Sequence, residues 1–262
     1  MKDIYKVLII IGLTLAAAIY TASLHRIPQD ASYHNFADGR SFLGINNFWN
    51  VVSNLPFLII GFSGVFFVIK KDNRNVFKSP GDRFLWICVF AGIGCVGLGS
   101  AYYHLSPSNI TLVWDRLPMT IVFMSFTAVI ISERISSDPG WLFLVALNGL
   151  GVYSVRYWQH SEMIGEGDLR LYAFVQFAPM IILPAILLLY RKGPALFPDL
   201  AGVFLFYVAA KLAEHYDAAI YKFMGFVSGH TIKHFAASMA VFYMLKILVR
   251  RKKVTFSVES IN

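Results

Sequence analysis

Charge is what this sequence has least of. Asp, Glu, Lys and Arg make up 15% of its 262 residues while 57% are hydrophobic, against about 25% charged in a typical soluble domain. With a mean hydropathy of +0.59, the chain reads as an integral membrane protein. Cysteine is nearly absent as well: Cys88 and Cys95 are the only two. They fall in one apolar run, and seven residues of helix set their α-carbons about 10 Å apart, which excludes a disulfide between them. No internal repeat, low-complexity tract or long linker interrupts the chain, so its short polar connections fit one compact domain.

What is present is a series of apolar runs, each near the roughly 17–25 residues that cross a bilayer. They occupy 4–22, 49–69, 84–104, 110–132, 141–158, 170–190, 200–217 and 230–249. The prediction is an all-α polytopic membrane helix bundle of eight spans. The first run follows the basic start MKDIYK and reads as an uncleaved anchor; a signal peptide is the alternative, with TAS as a weak cleavage candidate. The expected organisation is an N-terminal transmembrane anchor or signal-like segment over 1–24, an external loop over 25–48, a seven-helix transmembrane domain over 49–250 and a cytoplasmic tail over 251–262.

Loop charge orients this arrangement, because Lys and Arg collect on the cytoplasmic side. With both termini inside, that side holds Lys2, Lys6, Lys70, Lys71, Arg74, Lys78, Arg83, Arg134, Arg191, Lys192, Lys246 and the run Arg250 to Lys253, while Arg26, Arg40, Arg116, Arg156, Arg170 and Lys222 fall outside. The net charge of +8 is then a matter of topology and anionic lipid, with no need for nucleic acid. No oligomeric state is specified.

Ionisable groups inside a membrane are expensive and mark function by default. The third run ends GLGSAYYHL, placing Ser100 and His104 at i and i+4 on one helical face. The fourth begins LVWDRLPM, with Asp115 near its start, and the eighth begins GHTIKH, with His230 and His234 again at i and i+4. In the alternating topology all five lie at one depth, toward the outer face. Alone, each has a plainer reading: an interfacial HxxxH pair, a serine bonded back to its helix, an aspartate favoured by a helix N-terminus. Together they form the set expected of catalytic zinc, three imidazoles with a fourth position left for water.

Other polar groups are weaker candidates. His25, His34 and His160 read as solvated surface. Glu214 and Asp217, at i and i+3 near the outer end of the seventh run, either orient ligand imidazoles from behind or cap the bundle edge. Asn47, Asn50 and Asn54 form a polar stripe suited to bonding between helices.

The elements NFWNVVSN, GSAYYH, WDRLPM and GHTIKH, in this order and spacing, resemble the alkaline ceramidases and their bacterial relatives, within a superfamily of seven-span membrane hydrolases that includes adiponectin-receptor-like proteins. The resemblance spans about residues 46 to 249, with the first run as an N-terminal addition to a seven-span catalytic domain. It implies zinc on His104, His230 and His234, catalytic roles for Ser100 and Asp115, and hydrolysis of ceramide to a sphingoid base and a fatty acid. Two departures limit it. Asn47 stands where the family has a glutamate, and only Asp30 and Asp38 precede it, which puts calcium dependence in doubt. Arg116 replaces a glutamate common among eukaryotic members, so another N-acyl or ester lipid remains open as substrate. A lipid receptor or lipid-binding protein with a structural zinc is the alternative from another class, and a haem bundle a third.

Overall fold

The computed structural model describes residues 2–136, 140–191 and 197–259. Among them run ten α-helices: α1 (Asp3–Ser23), α2 (Phe48–Val52), α3 (Leu55–Ile69), α4 (Pro80–Leu105), α5 (Asn109–Arg134), α6 (Gly140–Met163), α7 (Arg170–Leu189), α8 (Phe197–His215), α9 (Asp217–Met224) and α10 (Gly229–Glu259). The fold is the expected all-α polytopic bundle. Lys192 and residues 260–262 of the expected tail lie outside the described residues.

Among the described residues, six segments are long and apolar enough to cross a membrane: Asp3–Ser23, Phe48–Ile69, Pro80–Leu105, Asn109–Arg134, Arg170–Leu189 and Gly229–Lys253. The other two expected spans are helical but more polar. In α6 the dilution comes from Asn148, Arg156 and Gln159, and in α8 from Asp199, Lys211 and Glu214. Two features departed from the expected spans. The second is broken at Ser53 and Asn54, because Asn54 Nδ2 turns back to the Asn50 carbonyl (2.8 Å) and Pro56 cannot donate a helical bond. The extra helix α9 is too short to have shown in a scan for spans.

The chain divides into two compact units. One comprises Met1–Asp30, Ser79–Val89 and Met119–Gly193. In it α1 packs along α7 and buries none of its own residues. Arg170 ties down the end of α1, donating from Nη1 to the carbonyls of Ala22 and Leu24 (both 2.9 Å) while its Nη2 holds Asp168 (2.8 Å). Hydrogen bonds from Arg170 outweigh burial and hold the Asp168 carboxyl down at about 2.

The other unit comprises Ala31–Lys78, Phe90–Pro118 and Pro194–Asn262. It therefore contains α2, α3, most of α4, the start of α5 and all of α8 to α10. Glycines let its backbones meet: a β-carbon on Gly61 would lie 2.5 Å from the backbone nitrogen of Gly94. Far along α10 from its first turn, Arg250 and Lys246 pair with the buried Asp199 of α8 (2.9 and 3.7 Å).

Candidate metal centre and its surroundings

All the residues singled out within the spans fall in this second unit, and local sequence explains their placing. His104 stands in the last turn of α4. Ser108 then restarts the chain as α5 through a reciprocal cap, in which Thr111 N–H donates to Ser108 Oγ (3.2 Å) and Ser108 N–H to Thr111 Oγ1 (3.1 Å). Asp115 follows two turns into α5, beside the Ser100 side chain of α4. That pairing needs α4 and α5 to touch, and Gly99 permits it: a β-carbon there would clash with the Trp114 carbonyl. Pro118 has no N–H to offer that carbonyl from the next turn.

The first turn of α10 is capped twice. Ser228 Oγ accepts from Thr231 N–H (3.1 Å), and Asp217 Oδ1 accepts from His230 N–H (2.7 Å). This fixes the helix start so that His230 and His234 face inward together, both buried.

His104, His230 and His234 converge. Their candidate ligand atoms all lie within 4.8 Å of one another, and the ring centroids stand 4.8, 4.9 and 4.9 Å apart. His104 Nε2 and His230 Nε2 are 3.3 Å apart. Two nitrogens bound tetrahedrally at 2.0–2.1 Å to one ion would be separated by roughly 3.3 Å, so the pair fits a shared metal. For His234, Nδ1 is taken up by a hydrogen bond with Ser53 Oγ (2.7 Å), which leaves Nε2 for a ligand. The three residues could hold a metal ion.

Glu214 and Asp217 do not touch an imidazole ring in any described contact. Glu214 accepts from Lys233 (2.6 Å), Lys211 (2.7 Å) and Tyr33 (3.1 Å). Asp217 accepts two backbone N–H groups, that of His230 and that of Ala37 (3.0 Å). Of the asparagine stripe, Asn47 donates to the His104 carbonyl (2.9 Å) and Asn50 to the Asp38 carbonyl (3.1 Å), whereas Asn54 bonds locally.

The segment before α2 lies closer to these residues than an external loop would suggest. Phe36 places its ring centroid 4.6 Å from both His104 and His230. His34 is not solvated as expected: it is half-buried between Tyr103 Oη (2.9 Å) and Asn109 Oδ1 (3.0 Å), while His25 and His160 are exposed. Burial, then the charge of Glu214, push the Tyr33 phenol well up, so it stays a donor to that carboxylate. The guanidinium of the buried Arg116 lies 5.8 Å from the Tyr33 ring. Both oxygens of Asp38 face Arg40 (2.8 and 2.7 Å), so that carboxylate already has its cation.

Sequence reasoning missed Ser53 and Phe36. Ser53 sat one residue from the asparagine stripe and was the only hydroxyl there; Phe36 left no signal.

The sequence model of the ceramidase family matches residues 43–232. The matched stretch contains Ser100, His104, Asp115 and His230 and stops two residues short of His234. No curated protein matches the chain. With most of its length covered by that one family, the chain belongs to the ceramidases, and is thus a membrane hydrolase acting on the amide bond of ceramide.

Proposed function

We propose that the protein is a zinc-dependent intramembrane amidase cleaving ceramide-type N-acyl sphingolipids to a sphingoid base and a fatty acid. One observation carries this reading: three buried imidazoles with ligand atoms inside 4.8 Å, two of them at the spacing a tetrahedral ion requires. Zinc in such a site supplies Lewis acidity and lowers the pKa of water to about 7.

The chain's own residues supply the proton handling. Asp115 takes the proton from the attacking water and gives it to the leaving nitrogen as the C–N bond breaks. The Ser100 hydroxyl, beside the Asp115 carboxyl, donates a hydrogen bond to the oxyanion forming at the amide carbon, a type of contact whose loss costs about 100–1,000-fold in rate. The distribution of Lys and Arg supports termini on the cytoplasmic side and a site toward the outer face.

Elemental analysis of the purified protein and fatty-acid release from ceramide in mixed micelles test the proposal. About one zinc per chain, with hydrolysis lost in His104→Ala and Asp115→Ala, is the expected result. Full activity in both variants would overturn it. Metal without hydrolysis of any N-acyl or ester lipid would favour a lipid-binding protein with structural zinc.

A further inference from the structure

Residues 33–38 lie before the stretch matched by the family, residues 43–232. Four anchors hold them, each on a side chain next to the histidine cluster. His34 bonds Tyr103, the neighbour of His104. Tyr33 bonds Glu214, the partner of Lys233. Ala37 N–H bonds Asp217, which also holds the His230 N–H. Asn50 joins the Asp38 carbonyl to Thr231 in the first turn of α10 (3.1 and 3.3 Å). Between these anchors the chain presents one large side chain, Phe36, and it meets two of the three imidazoles at 4.6 Å with interplanar angles of 64° and 60°.

A bond network would hold a loop without an aromatic ring at its centre. The ring adds a constraint on χ2 of His104 and His230, whose nitrogens must aim at one point for a metal to bind, and edge-to-face contact is directional enough to impose it. His104 needs it most, because its Nδ1 is buried without a hydrogen-bond partner among the described residues, whereas metal-binding imidazoles are ordinarily aimed by a bond from the far nitrogen. We infer that Phe36 is a positioning residue for the metal centre, aiming the His104 and His230 imidazoles by ring contact where a hydrogen bond is missing. This rests on the metal reading of the histidine cluster given above.

The test is metal binding in the full-length protein, read without turnover. Zinc affinity is measured by competition with a chromogenic chelator, and ligand geometry by the visible absorption of the cobalt(II)-substituted protein, for wild type, Phe36→Ala, Phe36→Leu and Phe36→Tyr. The expected result is a 10–100-fold weaker affinity and a changed cobalt spectrum in Phe36→Ala and Phe36→Leu, the range seen when outer partners of metal ligands are removed, with both restored in Phe36→Tyr. Phe36→Leu keeps the site filled if Phe36→Ala fails to fold. Wild-type affinity and spectrum in Phe36→Leu would overturn the inference, as would equal weakening in Phe36→Tyr, which would mark a packing role only. Weakened metal in Phe36→Leu with no ceramide hydrolysis by wild type would leave the positioning role standing and remove the amidase reading. Hydrolysis by wild type with unaltered metal in Phe36→Leu would do the reverse. A wild-type chain that binds no metal overturns both.

Discussion

Gly99 of α4 lies against the carbonyl of Trp114 in α5 so closely that it has no room for a β-carbon. The contact sits one residue from Ser100 on one helix and one residue from Asp115 on the other, so it sets how near those two side chains come. Gly99→Ala must push two backbones apart. Overpacking of this kind costs about 1–3 kcal/mol, and the displaced carboxylate would lose its serine. The expected outcome is a thermal midpoint lowered by a few degrees with a disproportionate fall in ceramide hydrolysis, at least tenfold. Activity reduced only in line with the folded fraction would show that the contact serves stability alone.

Ser53 Oγ hydrogen-bonds His234 Nδ1 at 2.7 Å. Ser53→Ala leaves the imidazole its ring but not its bond, and zinc affinity is expected to fall about 10–100-fold. Titration with a chelator checks it, and unchanged affinity would mean that the bond to Ser53 does not aim the ring.

Lys233 and Glu214 form a half-buried pair, each side chain 15% exposed. Removing one partner of a fully buried pair costs about 3–5 kcal/mol because the other charge is stranded. Lys211 also holds Glu214, so a loss below that range is expected for Lys233→Met. The double variant Lys233→Met with Glu214→Gln should be destabilised by less than the sum of the two single variants in a thermal unfolding series; a loss equal to that sum would show the two sites to be independent.

Asp168 carries a pH dependence. Its carboxyl is held at about 2 in the folded chain, chiefly by hydrogen bonds from Arg170, against about 3.9 unfolded. A depressed carboxyl contributes stability that is complete above the unfolded value and disappears as pH falls through the folded one. The window is therefore about pH 4 down to pH 2. Discounted for solvent screening, the contribution is about 1 kcal/mol. Asp168→Asn should lower stability by that amount at pH 6 and by progressively less toward pH 2; a constant difference over the range would count against it.

Much of this was legible in the sequence for a physical reason. A span must be long and apolar whatever it packs against, so all eight runs appeared as helices, and the i, i+4 spacing of His230 and His234 survives into any helix. Their approach to His104 is a matter of distance, with ligand atoms within 4.8 Å of one another. What escaped depends on contacts between distant segments. Phe36 is one aromatic among many, in a segment without periodicity. His34 resembles any histidine of a polar loop until Tyr103 and Asn109 close around it. The break at Ser53 arises from side chains turning back on their own carbonyls, which apolar patterning does not record.

The double cap on α10 has an electrostatic consequence. A helix N-terminus carries roughly half a positive charge and attracts anions, which makes it a poor place for a dication. Asp217 sets a full negative charge on the first-turn N–H of His230. Asp217→Asn keeps an acceptor there while removing the charge, and is expected to weaken zinc several-fold in chelator competition, more at low ionic strength than at high; no salt dependence would show that the bond alone matters. The aspartate opposes the helix's own field at its mouth, so that two imidazoles on the wrong end of a dipole could still share a cation.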